Sequence, residues 1–342
     1  MKRMNARIIL GAAVIVAVIL FWNAWTDVPE NGFTDEKNLR VVATFYPLAE
    51  FSRMVGGDLA DVSVVVSPGV EPHDYEPTPR DLVSIENADV FVLNGAEMDP
   101  WAEKLVPALR EKGVSVVIAA ESVTLLAAEE HDEHHEEGNG GHDADEADSE
   151  HDAHEEEAHE EKHEHGAYDP HFWLDPIYAE SIVGSIRMAL VEKDADNART
   201  YEANAAAALS ELATLDGEYR TILSTCARDE VITSHNAFAY LAGRYGFGAH
   251  SIAGLSPEAE PSAGRIAELV DLAKKENIRY IFFETLVSPK VSETLAREIG
   301  AETLVFDPLE GLSAEDAAAG KNYFSVMREN LANLSMALEC RQ

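Results

Sequence analysis

The chain has 342 residues, 46% of them hydrophobic, which is enough for about two domains with cores of their own. Its formal net charge is −37. A field of that sign repels nucleic acid and anionic membrane surfaces and draws in cations, so it argues against nucleic acid as a partner.

The N-terminus reads as an export signal. Lys2, Arg3 and Arg7 precede an uncharged apolar run over residues 8–26, which at 1.5 Å per residue spans about 28 Å, close to the roughly 30 Å of a bilayer core. Trp22 and Trp25 suit the far interface. No cysteine follows the run as a lipid-attachment site, and the cleavage pattern is poor. Residues 1–26 are therefore expected to be an uncleaved signal anchor in preference to a cleaved signal peptide. In either case the rest of the chain lies outside the cytoplasm, at the cell surface or in the periplasm, attached to the membrane if the anchor is kept.

A polar tether is expected over 27–38. Short apolar runs then alternate with helical patterns. Strands are predicted at 39–45, 62–66, 90–95 and 115–119, and Thr78-Pro79 has the form of a cap and first-turn proline that opens a helix. After residue 165, helices are expected at 176–191 and, unbroken, at 195–224. Strands follow at 230–233, 249–252, 280–283 and 303–306, with helices at 237–245, 262–276, 288–299 and 320–339. The alternation predicts two parallel-sheet α/β lobes, 39–194 and 225–342, joined by the single long helix 195–224.

Residues 129–165 interrupt the first lobe. Nine of the 13 histidines stand there (His131, His134, His135, His142, His151, His154, His159, His163 and His165) among 18 acidic residues and one lysine. An acidic linker needs carboxylates but not imidazoles. Together the two are donors for divalent transition metals, so this low-complexity loop is expected to gather metal weakly, with no secondary structure of its own.

Four histidines lie outside the loop. His73 and His235 each stand just past a predicted strand, and His171 precedes the helix that follows the loop. Ligands of parallel α/β sheets gather at the carboxyl ends of the strands, so these residues point to the mouth between the lobes. Three imidazoles and one carboxylate would hold Zn²⁺ tetrahedrally. Asp307 and Glu284 both follow apolar strands and either could supply the carboxylate or cap a helix, and spacing does not choose between them. His250, inside a predicted strand, reads as structural. The two cysteines, Cys226 and Cys340, form no CxxC, which rules out a thiolate zinc site. In an exported chain they could instead pair as a disulfide.

Several stretches carry a resemblance. They include Gly69-Val70-Glu71-Pro72-His73-Asp74-Tyr75-Glu76-Pro77, Asp169-Pro170-His171-Phe172-Trp173-Leu174-Asp175-Pro176 and Ser234-His235-Asn236-Ala237-Phe238. Further on come Gly254-Leu255-Ser256-Pro257-Glu258-Ala259-Glu260-Pro261, Phe282-Phe283-Glu284-Thr285-Leu286 and Asp307-Pro308-Leu309-Glu310-Gly311-Leu312. With these, the chain from about residue 39 to 340 resembles the metal receptors of zinc and manganese ABC importers, the cluster A-I substrate-binding proteins. The resemblance implies metal in the cleft between two lobes, bound by His73, His171, His235 and Asp307, and delivery to an ABC permease by a monomeric receptor that is not an enzyme. It also implies a Cys226–Cys340 disulfide. Histidine at the third ligand position and the His-rich loop resemble zinc members, and manganese-type relatives tend to carry Glu there. Pro72 stands where many zinc members have a glutamate beside the first histidine, so Glu71 is not expected to reach the metal. Rival readings are a manganese receptor, a His-rich metal buffer or adhesin without a permease, and a zinc hydrolase, which the lack of H-E-x-x-H disfavours.

Overall fold

Each apolar run that the sequence offers as a strand lies in one of two parallel sheets of the same topology. In a computed structural model that describes residues 38–128 and 167–341, β1 (Leu39–Ala43), β2 (Ala60–Val64), β3 (Val90–Leu93) and β4 (Ser115–Ile118) pair in the order β2-β1-β3-β4. The second sheet repeats that order as β6-β5-β7-β8, from β5 (Glu230–Thr233), β6 (Gly248–Ser251), β7 (Tyr280–Phe283) and β8 (Glu302–Val305). The second strand starts two residues earlier than the sequence suggests. Its ladder nonetheless continues to Val66, whose N–H bonds to the Thr44 carbonyl at 2.9 Å.

All four residues of β3 are buried, and they divide between two cores. Val90 and Val92 face the interior shared by the lobes, while Phe91 and Leu93 pack outward on Ile85 and Leu109. A strand covered on both faces has to be apolar throughout, which is why it reads as a continuous hydrophobic run.

The helices of the first lobe are α1 (Tyr46–Gly56), α2 (Pro79–Glu86), α3 (Pro100–Glu103), α4 (Val106–Glu111) and α5 (Pro176–Lys193). Thr78 caps α2 in a reciprocal box with Asp81. The long helix, α6 (Ala198–Leu223), has 26 residues, about 39 Å of axis. Tyr201, Ala205, Ala208, Leu212, Leu215, Tyr219 and Leu223 recur every three or four residues and bury a single stripe. The second lobe adds α7 (Ala239–Tyr245), α8 (Ala263–Glu276), α9 (Lys290–Ile299), α10 (Ala314–Ala318) and α11 (Tyr323–Ala337).

More than α6 joins the lobes. One core runs from β1 and α1 through α5 and α6 to α7 and α11. Phe51 of α1 meets Tyr323 of α11 edge to face at 4.9 Å. Buried polar atoms cross the same seam: Trp173 Nε1 donates to the Pro308 carbonyl at 2.8 Å, and the Tyr323 hydroxyl to the Trp173 carbonyl at 2.8 Å. Cys226, just past α6, is bonded to Cys340, 114 residues later, past α11.

Both sheets belong to one compact unit that begins at Asn38. The expected signal anchor (1–26), the tether up to residue 37 and the nine histidines of the 129–165 loop lie outside the described residues. Among the described residues, no helix is long and apolar enough to cross a membrane.

Candidate metal centre

Four loops, two from each lobe, bring the site together. His73 follows β2 in the stretch leading to α2. Gly69 turns this loop at φ +81°, the Tyr75 hydroxyl anchors it to Asp81 at 2.9 Å, and the Glu71 carboxylate accepts the His73 N–H at 3.0 Å. His171 precedes a short 3-10 turn, Phe172–Leu174, whose three side chains are fully buried. His235 follows β5. Glu310 lies beyond β8, where Leu309 takes φ +57° and a side chain in place of Gly311 would crowd Leu286, its Cβ only 3.2 Å away.

Carboxylates behind two of the rings set their orientation. Asp169 Oδ1 accepts the His171 backbone N–H at 2.9 Å and lies 2.8 Å from its Nδ1. Glu284 Oε1 lies 2.5 Å from His235 Nδ1 and also accepts from the Ser234 hydroxyl. With Nδ1–H donated backwards, the Nε2 lone pair of each ring faces forward into the site.

The forward atoms converge. Nε2 of His171 is 3.2 Å from Nε2 of His73 and 3.3 Å from that of His235. Glu310 Oε1 lies 3.2, 3.4 and 3.1 Å from the Nε2 atoms of His73, His171 and His235. A tetrahedron with metal–ligand bonds of about 2.0–2.1 Å has edges of about 3.3–3.4 Å. Five of the six donor separations therefore match the edges of a zinc-sized tetrahedron, all four atoms lie within 4.8 Å of one another, and the three imidazoles and one carboxylate are of the right type. The second oxygen of Glu310 is buried without a hydrogen-bond partner.

Without a metal, protons must do the neutralising. Burial opposes a charged His235, but the negative charges of Glu284 and Glu310 outweigh it and hold its pKa well above the ordinary imidazole value. Burial likewise opposes ionised Glu310, yet His235 and His73 keep it well below the usual carboxylate range. His171 is raised, its burial outweighed by the hydrogen bonds to Asp169 and Glu310. His73 is lowered, burial there outweighing the pull of Glu310. Glu71, buried beside Glu310, is pushed up to about 9.

Three of the four sequence-expected ligand positions, His73, His171 and His235, meet here. Asp307 does not join them, and Glu310 takes the carboxylate corner. Both Asp307 oxygens are engaged elsewhere, Oδ2 by the Thr285 hydroxyl at 2.6 Å and Oδ1 by the Leu309 N–H at 2.7 Å. Asp307 thus builds the turn that aims Glu310. Glu284, the other carboxylate considered, stands behind His235. The one hint in the sequence is that Glu310 lies in the same stretch as Asp307, next to Gly311. His250 sits apart on β6, its Nε2 2.6 Å from Glu230.

Residues 41–337 match the family described as "Zinc-uptake complex component A periplasmic", ZnuA. The chain belongs to the ZnuA family. It is 40% identical over 330 residues to the high-affinity zinc uptake system protein ZnuA of Bacillus subtilis, covering 96% of this chain and 97% of that one. It is 38% identical over 326 residues to the zinc-binding protein AdcA of Streptococcus pyogenes serotype M3, of whose length the chain spans 61%. The solved Zn(II)-bound ZnuA-like domain of Streptococcus pneumoniae AdcA superposes with a TM-score of 0.70 at 38% identity, over 88% of this chain and 99% of that one. These ZnuA-family likenesses cover both lobes.

Proposed function

We propose that this chain is the extracytoplasmic receptor of a zinc importer, capturing Zn²⁺ in the cleft between its lobes and handing it to an ABC permease. His73, His171, His235 and Glu310 hold the ion, with Asp169 and Glu284 orienting two of the rings. The observation that carries the reading is the convergence of three imidazole Nε2 atoms and one carboxylate oxygen, five of whose separations are 3.1–3.4 Å, with Asp169 and Glu284 behind two of the rings. Four protein donors fill a tetrahedral shell and leave no open position for a reacting water, which suits capture and release better than hydrolysis. Three imidazoles to one carboxylate favour zinc over manganese.

The remaining assignments belong to the same proposal. Residues 1–26 keep the receptor at the outer face of the membrane, 39–194 and 225–342 act as the two lobes about helix 195–224, and the receptor works as a monomer. The histidines of 129–165 gather zinc weakly near the cleft and are not needed to hold it.

Competitive titration of the full chain with Zn²⁺ and Mn²⁺ tests this. One tight zinc site that survives deletion of 129–165 and disappears in His235→Ala is expected. Tight binding that disappears with the loop would instead make the chain a His-rich buffer or adhesin on an α/β scaffold.

A further inference from the structure

The chain on either side of residues 129–166 meets at an isolated antiparallel bridge between Ala127 and Tyr168. Ala128 N–H bonds to the Ala167 carbonyl at 3.1 Å, and Asp169 N–H to the Leu126 carbonyl at 3.0 Å. Both sides of this junction also touch one atom from the other lobe. The hydroxyl of Tyr240, on α7, accepts the Leu126 N–H at 2.9 Å and donates to the Asp169 carbonyl at 2.7 Å.

That hydroxyl is held in place. Tyr240 is 4% exposed, with its ring edge-on to Phe172 at 6.2 Å and to Tyr178 at 5.7 Å. Packing sets the ring, and the ring sets the hydroxyl. A phenol can donate and accept at the same time, which the phenyl ring of Phe cannot.

The contacts form a closed circuit. From Tyr240 it passes to the Asp169 backbone, then through the Asp169 carboxylate to the His171 ring. His171 Nε2 lies 3.3 Å from His235 Nε2, and His235 stands five residues before Tyr240 in the same lobe. We propose that Tyr240 is a positioning residue of the metal centre, whose hydroxyl fixes Asp169 and thereby sets the spacing of His171 from His235 across the two lobes. The inference rests on the zinc-receptor reading and adds to it the residue that ties the roots of the acidic insert to a ligand.

The test is zinc release from the full chain into excess chelator, for wild type, Tyr240→Phe, Asp169→Ala and the double variant. Changes behind a ligand typically cost about 10–100-fold in metal affinity, and Tyr240 stands one contact further back, so roughly tenfold faster release is expected for Tyr240→Phe. Asp169→Ala should be faster still, and the double variant no faster than Asp169→Ala alone, because the two act in series. The Co²⁺-substituted Tyr240→Phe protein should also show shifted d–d bands.

Release from Tyr240→Phe at the wild-type rate, even with a lowered Tm, reduces Tyr240 to a packing role and overturns the proposal. Effects that multiply in the double variant do the same. A wild type without one tight zinc site overturns the receptor reading itself, and the role of Tyr240 with it, whereas a tight wild type and an unaltered variant overturn the role alone.

Discussion

His235 Nε2 stands 3.1 Å from Glu310 Oε1, and neither side chain reaches solvent. In the metal-free protein this pair replaces the attraction that a cation would supply. Its pH dependence has a definite sign. His235 is raised above 6.5, so its contribution to stability is complete below about that pH and fades as pH rises through its folded value. Glu310 is lowered below 4.5, so its contribution is complete above about that pH and fades as pH falls through its folded value. The pair therefore stabilises the metal-free protein fully between about pH 4.5 and 6.5. Melting in chelator should show Tm falling more steeply with alkalinity in wild type than in Glu310→Gln. The increment from added zinc should run the other way and grow with pH, since the metal displaces protons from the histidines. A wild type and Glu310→Gln with parallel profiles would argue against the buried pair.

Glu310 and Asp307 are separated by two residues and by function. Glu310→Ala removes a corner of the tetrahedron and should weaken zinc by more than the roughly 100-fold that marks the upper end for indirect changes. Asp307→Asn keeps the side-chain carbonyl that accepts the Leu309 N–H and should cost much less. Isothermal titration of both variants decides the order. The reverse ranking would return Asp307 to the metal.

Glu284 is not among the four converging donors, yet it receives the Nδ1–H of His235 and the Ser234 hydroxyl. Glu284→Gln keeps the volume and removes the charge. A loss of about 10–100-fold in zinc affinity is expected, with one zinc still bound per chain. A variant that binds as tightly as wild type would show that the ring orientation comes from packing alone.

The Cys226–Cys340 bond ties the end of α6 to the C-terminus across 114 residues. A crosslink over a loop of that length stabilises by about 4–5 kcal/mol on chain-entropy grounds, less whatever structure the unfolded chain retains. Cys226→Ser should therefore lower Tm by many degrees while the zinc stoichiometry stays at one. Denaturation with and without reductant gives the same comparison in the wild type.

Much of this molecule was legible in one dimension. Strands such as β3 are apolar at every position because both faces are covered, and α6 shows its buried stripe at three- and four-residue intervals. Those are local consequences of periodicity, and they mark the two lobes and the long helix between them. His73 and His235 could be picked out because strand ends in parallel sheets point at the cleft. The carboxylate could not. Asp307 and Glu310 share a motif, and the choice between them depends on the turn at Leu309, which carries Glu310 to the three rings while Thr285 and Leu309 occupy Asp307. The supporting roles of Asp169, Glu284 and Tyr240 were out of reach as well. Glu284 and Tyr240 act on partners in other loops, 49 to 114 residues away, and Asp169, two residues from His171, is held by Tyr240 from the other lobe. Composition and periodicity thus marked the lobes, the imidazole-rich chemistry and the strand-end histidines His73 and His235, and the motif resemblance added His171, whereas packing of loops from both lobes decided the carboxylate and the groups that aim the donors. Periodicity reports which face of an element is buried, but the meeting of side chains from separate loops depends on distances that exist only after the lobes have packed.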